Sequence, residues 1–469
     1  MTSPTSLPHR PRVADHVALR RHLVDGREHI FAHDLHTEET FPLDRRQLRL
    51  LGCADGTRDL GGVVLAAVRC GAYRRSSELL ELLGKLHERG MLADGIEVGE
   101  PRRSPAPARP LAVLADFTLR CDHNATCCGT YGGVVFSRTE CARAETLVPD
   151  ALAQLDGRDD RFLPVRSSAP GPYETAPMVD GHCPFLDAAG LCRIQAAGGP
   201  TAKPLGCQLF PATFVDDGQQ VRVSVLVECP CVLASIGAVD GSSLVPAGAR
   251  VEGDLLAGTP VIRLPDTLPL AADRAGTPAE LSRWSHVLCE RVAGVVDPLA
   301  ALWSLADAVR DYGLALEPSL QAVDAPAVPD EAALAFPLMA LSGRAAAKLE
   351  AVRSWRSERD RTQQLAVWLA AGAQALLEPT RVEQALAGAE LHRRHERFYL
   401  QATLFGHHLA IEPVPLDRAL RDRATRLLLA RQLAHDVPDE CASHPAVPYP
   451  LTAVESMMRA QGLSAYTRG

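Results

Sequence analysis

Nine of the chain's 13 cysteines fall between residues 121 and 231. Cys141 lies in a helical pattern, Arg138–Glu145, and reads as a core residue. The other eight form four groups: Cys121 with the adjacent pair Cys127-Cys128, Cys183 with Cys192, Cys207 alone, and Cys229 with Cys231. Adjacent cysteines on one strand point to opposite faces, but in a loop as glycine-rich as the one after Cys128 both sulfurs can turn to a shared centre. Cys183 and Cys192 flank an Asp187-Ala188-Ala189-Gly190 turn, which can bring their sulfurs together. Clustered thiols outside a small secreted framework point to metal ligation or redox chemistry. By ligand type alone, thiolates suit a structural zinc site and an iron–sulfur cluster equally well. Eight thiols exceed one tetrahedral zinc, and metal-free thiol chemistry is the remaining option. His123 and His182 neighbour two of these cysteines and are not counted as ligands.

The elements that must position these groups fall into regions. Residues 13–95 read as a small α+β domain. Val17–Leu23 and His29–Leu35 form a hairpin about Asp25-Gly26, a type I′ pair. Glu39–Leu43 is a third strand, and Asp44–Gly52 and Arg58–Cys70 are short helices. In the third helix Leu79, Leu82, Leu83 and Leu86 share one face, Ser76 is the expected N-cap and Gly90 the stop. Cys53 and Cys70 lie on apolar helix faces as small core residues. Residues 96–110 are a proline-rich linker. Residues 111–265 hold the cysteines and read as an irregular metal-binding core. Residues 270–469 are mostly α-helical, with the main helical patterns at 330–377, 380–410 and 416–435. Cys289 sits in one helical pattern, and Cys441 reads as a surface loop thiol. The fold class expected is therefore α+β.

Composition narrows the function. The 49 basic and 57 acidic side chains give a net charge of −8, so no basic field exists for a phosphate backbone and nucleic acid is not an expected partner. No stretch approaches the ~18 apolar residues of a membrane span, and the N-terminus lacks the apolar core of a signal peptide. A cytoplasmic protein with reduced thiols is expected. Neither a dinucleotide fingerprint, a P-loop, an His-Glu-x-x-His zinc motif nor a nucleophile elbow is present.

Two resemblances sharpen this reading. The order hairpin, strand, three helices, with Asp55-Gly56-Thr57 before the second helix and Leu86…Gly90-Met91-Leu92 closing the third, resembles the PqqD-like fold, or RiPP recognition element. That likeness implies a winged-helix-like domain that binds a precursor (leader) peptide as an added strand, using Glu39, Thr40 and Phe41 with Leu79, Leu83 and Leu86. The alternative is an adaptor that only packs on the rest of the protein. The cysteine pattern of Cys121 with Cys127-Cys128, Gly181-His182-Cys183-Pro184-Phe185-Leu186, Gly190-Leu191-Cys192-Arg193-Ile194 and Cys207…Pro211 resembles the YkgJ-type zinc- or iron-chelating family. Within it, the pattern is closest to flagellin lysine-N-methylase (FliB). The resemblance implies metal ligands at Cys121, Cys127, Cys128, Cys183, Cys192, Cys207, Cys229 and Cys231. It favours a [4Fe-4S] cluster with zinc as the alternative, S-adenosylmethionine as methyl donor, and a helical tail whose Glu396 and Tyr399 line a catalytic pocket. The function implied is iron–sulfur-dependent modification of a ribosomal peptide or protein substrate. The alternative is a non-catalytic accessory or electron-transfer metalloprotein.

Overall fold

The computed structural model describes residues 7–460 apart from 15, 25, 35–38, 70, 73–74, 96–107, 123–124, 127, 129–133, 156–160, 166–172, 181, 354–360, 388–389 and 413. Cys70 and Cys127 thus lie outside the described residues. The chain divides into two compact units, residues 1–107 with 131–208 and residues 108–130 with 209–469. Residues 111–265, read as one Cys-rich domain, are therefore shared between both units.

The first unit opens with β1 (Pro11–Val13), β2 (Val17–Val24), β3 (Arg27–Asp34) and β4 (Thr40–Leu43), then α1 (Arg45–Cys53), α2 (Leu60–Arg69), α3 (Ser76–Glu88) and β5 (Leu92–Asp94). Gly26 supplies the positive φ (72°) that the β2–β3 turn requires. Asp44 starts α1 through a capping box with Gln47. Ser76, expected as the N-cap of α3, is its first helical residue; Arg75 stands in the cap position and makes no side-chain cap bond. The leucine stripe of α3 packs inward, with Leu79, Leu82, Leu83 and Leu86 all buried beside Leu48, Leu51 and Cys53.

The strand order is β10-β2-β3-β4, with β10 (Met178–Val179) lying parallel to β2, so β4 is an edge. Pro42 within β4 fits an edge position and removes one N–H from any ladder formed there. Arg89, just past α3, lies 5.2 Å over the Phe41 ring. After β6 (Leu111–Val113), which belongs to the second unit, the first unit resumes. It adds β7 (Val135–Ser137), α4 (Arg138–Leu147), β8 (Leu163–Val165), β9 (Tyr173–Thr175), α5 (Arg193–Gly198) and α6 (Leu205–Leu209). Phe136, Phe162 and Phe185 form its second core.

The second unit pairs the antiparallel strands β11 (Ala212–Asp216) and β12 (Val221–Val225), flanked by β6 and β13 (Ile262–Arg263). The short helix α7 (Pro230–Ala234) follows β12, and the hairpin β14 (Leu268–Ala271)–β15 (Arg274–Gly276) leads into the helices. These are α8 (Pro278–Val292), α9 (Pro298–Tyr312), α10 (Leu316–Asp324), α11 (Glu331–Arg353), α12 (Arg361–Ala375), α13 (Pro379–Ala387), α14 (Glu390–Phe405), α15 (Leu416–His435) and α16 (Pro450–Ala460). The helical patterns at 330–377 and 380–410 each resolve into two helices, whereas 416–435 is one. No helix among the described residues is long and apolar enough to cross a membrane.

Candidate metal centre

In the second unit, sequence-distant segments bring thiols together. Thr118 Oγ1 donates to the Ala238 carbonyl at 3.0 Å, the backbone amides and carbonyls of Leu119 and Ser242 pair, and the Arg120 amide donates to Ser235 Oγ at 2.9 Å. These bonds lay residues 118–122 alongside α7 and its continuation. Cys229 is the N-cap of α7, Pro230 stands where a missing N–H costs nothing, and Cys231 occupies the first turn. The Cys231 thiol donates to Asp122 Oδ1 at 2.8 Å and accepts from the Asp122 amide at 3.5 Å. It is also hydrogen-bonded to the thiols of Cys121 and Cys229.

Cys121 is exposed, Cys128 half-buried, and Cys229 and Cys231 are buried. The bond from Cys121 favours the Cys231 thiolate, but Cys229, burial and the Asp122 carboxylate outweigh it and push the thiol far above its ordinary range. Such a group gives up its proton when a cation sits among the sulfurs.

Two hydroxyls on α16 fix the segment ahead of this turn. Thr452 Oγ1 donates to the Val227 carbonyl and Ser456 Oγ to the Glu228 carbonyl, each at 2.8 Å. Tyr449, just before α16, is held above the usual phenol range by burial and by Asp122 and Cys231. Its ring centroid lies 5.5 Å from that of His395. Tyr449, His392, His395, Glu396, Arg431 and Leu233 border a cavity of about 10 Å³, the room of one water.

The donor set fits a thiolate-held centre. Three sulfurs from segments about 110 residues apart meet, and thiolate is the ligand that both zinc and iron–sulfur clusters take. Among the described residues, no three His, Cys, Asp or Glu side chains stand in a finished metal-ligand arrangement. The Cys121 and Cys229 thiols each bond to that of Cys231, and the neighbour of Cys128 in the sequence pair lies outside the described residues.

Comparison with known proteins gives one partial match. The chain is 30% identical over 87 residues to the flagellar biosynthetic protein FliU of Salmonella muenchen, covering 19% of this chain and 52% of that protein. The chain therefore spans about half the length of this relative. No family model and no solved structure matches.

The other cysteines read as ligands belong to the first unit. Cys183 and Cys192 lie at the two ends of a tight loop: Asp187 Oδ1 accepts from the amides of Ala189 and Leu191, Gly190 takes a positive φ (80°), and Leu186 bridges Cys192. Both cysteines are half-buried against Phe185 and Ile194. Cys207 sits half-buried in α6.

Four thiols are structural. Cys53 is in the first core, and Cys141 is buried with its thiol on Glu174 Oε2 at 3.7 Å and its pKa raised to about 12, first by burial and then by Glu174. Burial likewise raises Cys289, on α8, to about 12. Cys441, expected as a surface loop thiol, is fully buried and donates to the Gln364 carbonyl at 3.2 Å. Tertiary packing against α12 overrides its loop-like sequence.

Glu396 and Tyr399 lie one turn apart on α14 and are both buried. Arg431 grips Glu396 bidentately, Nε to Oε1 at 2.7 Å and Nη2 to Oε2 at 2.8 Å. The Tyr399 hydroxyl donates to Glu455 Oε1 at 2.6 Å and accepts from Arg423 Nη1 at 3.2 Å. Their polar atoms are spent on joining helices, and Glu396 also borders the small cavity beside Tyr449. In the first unit Glu39 and Thr40 are exposed and Phe41 is half-buried, at or beside the free edge of β4. Leu79, Leu83 and Leu86, expected along a peptide groove, are instead sealed in the core at 0–1% exposure.

Proposed function

We propose that this chain is a metal-dependent enzyme that modifies a ribosomally made peptide or protein, with lysine N-methylation as the reaction. The observation that carries the proposal is the convergence of the Cys121, Cys229 and Cys231 thiols, which suits a thiolate-held iron–sulfur cluster with Cys128 and the adjacent Cys127 as further donors. Such a cluster, when bound, supplies redox chemistry or an open iron position for a substrate's amino and carboxylate groups. The chain's own residues hold and orient: α16 fixes the Cys229–Cys231 turn, Asp122 anchors Cys231, and Tyr449 stands close to both. The edge of β4 suits a leader peptide added as a strand, which would hold the acceptor lysine at high local concentration. The partial match to a flagellar biosynthetic protein agrees with the resemblance to flagellin lysine-N-methylase. Co-expression with the peptide encoded beside the gene should add methyl-sized increments of mass to lysine, dependent on Cys121, Cys229 and Cys231. A different mass change, or none while the metal is bound, refutes methylation.

A second reading, a non-catalytic or electron-transfer metalloprotein, is favoured by the confinement of the cavity bordered by Tyr449 and His395 to the room of one water. Calorimetric titration with S-adenosylmethionine before and after removal of the metal separates the two, because a methylase should lose binding together with its cluster.

A further inference from the structure

A cavity of about 650 Å³ opens in the second unit between the turn of the β14–β15 hairpin, the first two turns of α8 and the α9–α10 loop. Its volume falls in the range of small-molecule sites. The floor is apolar: Trp284 and Leu270 are buried there, with Leu314 beside them. The indole N–H of Trp284 is already satisfied by Ser319 Oγ at 2.8 Å, so the floor presents no unmet polar demand. Tyr312, 60% exposed, stands at the mouth.

The rim carries charge that the protein has not spent. Neither the Arg274 nor the Arg283 guanidinium makes a hydrogen bond or close ion pair with a described residue, and Asp311 and Glu280 feel their charges at a distance. Asp273 likewise has no such partner. Glu280 is committed, accepting from the Thr277 amide at 2.8 Å and hydroxyl at 2.9 Å in the capping box of α8. The free groups are thus two guanidinium forks and one carboxylate above an apolar floor. A simple anion would satisfy the arginines and be repelled by Asp273; a simple cation would meet the reverse. A head group carrying both signs satisfies all three, the forks taking a carboxylate bidentately and Asp273 taking an ammonium.

We propose that this cavity binds a small zwitterion, an α-amino-acid head on a flat apolar body. The site uses none of the cysteines and does not depend on the metal reading above. The test is calorimetric titration of the full chain with two such probes, L-tryptophan and S-adenosylhomocysteine, whose relative affinities distinguish an indole from a nucleoside body. At least one should bind with 1:1 stoichiometry and a Kd between about 1 μM and 1 mM. Arg274→Ala with Arg283→Ala should weaken it about tenfold or more, and Asp273→Asn should also weaken it, each with an unchanged circular dichroism melt. Tryptamine and indole-3-propionate, each lacking half of the head, should bind about tenfold more weakly than L-tryptophan if the indole body is preferred. Absence of binding by both probes, or parental affinity in the rim variants, would each overturn the assignment.

Discussion

Ser456 donates its hydroxyl to the carbonyl of Glu228, the residue immediately before Cys229, at 2.8 Å, and both residues are buried. One turn earlier, Thr452 does the same for Val227. A helix more than 200 residues downstream therefore sets the backbone from which Cys229 and Cys231 project. Thr452→Val with Ser456→Ala should leave two buried carbonyls unsatisfied, at a cost of about 1–3 kcal/mol each. Denaturant melts should show that loss. Metal content should fall although no thiol is altered; unchanged metal content would show that α16 does not govern the site.

The Glu455 network makes a pH prediction. Burial would raise its carboxyl, but Arg423 and Arg426 outweigh that and hold it at about 2, from an ordinary 4.5. A depressed carboxylate contributes stability that is complete above pH 4.5 and lost as pH falls from about 4.5 towards 2. Unfolding measured across that window should steepen in the parent and flatten in Glu455→Gln. At pH 7 that variant should lose about 3–5 kcal/mol, because two buried guanidinium groups lose their shared partner.

Tyr399 is held in the same network, which predicts a structural role. Tyr399→Phe should cost about 1–3 kcal/mol in a denaturant melt while leaving modification of the co-expressed peptide intact. Loss of modification in a fully folded Tyr399→Phe protein would return it to the catalytic pocket.

Core and edge of the first unit should separate cleanly. Leu83→Ala should destabilise the fold by about 2–5 kcal/mol, as truncation in a packed core does. Phe41→Ala, on that edge and only half-buried against the core, should cost less stability than Leu83→Ala, leave metal content near the parent's, and weaken binding of a fluorescent leader peptide about tenfold, read by anisotropy. Equal peptide affinity in the two proteins would remove β4 from the recognition surface.

Local pattern made much of this fold legible. The Asp25-Gly26 pair and the four leucines of α3 each encode their element within a few residues, and β2, β3 and α3 fall where those signals put them, although the N-cap of α3 is Arg75 rather than Ser76. The face of α3 was legible as buried but not as sealed within the unit's own core, since periodicity shows that a stripe is covered and not what covers it. Long-range pairing was not legible. Nothing local announces that β10 would dock beside β2, or that residues 118–122 would lie along α7. Nor does an arginine-rich stretch such as Arg418–Arg431 read as buried, yet α15 buries Arg423, Arg426 and Arg431 because Glu455, Glu396 and Asp297 meet them from α16, α14 and the start of α9. The Asp217 carboxylate, held by Arg222 at 3.0 Å and by Ser282 at 3.0 Å, is a further buried polar join that only the tertiary fold creates. Among the cysteines, the sequence showed a dense grouping between residues 121 and 231, while the division of that group between two compact units was visible only in three dimensions.

Metal analysis of protein purified without oxygen tests most directly whether the converging thiols hold a metal cluster. The account predicts a brown protein with about four iron and four acid-labile sulfide per chain, a broad absorption that bleaches on reduction, and loss of both elements in Cys121→Ser, Cys229→Ser and Cys231→Ser but not in Cys53→Ser or Cys441→Ser. Stoichiometric zinc without iron, or full iron retention in the Cys229→Ser and Cys231→Ser proteins, would contradict it.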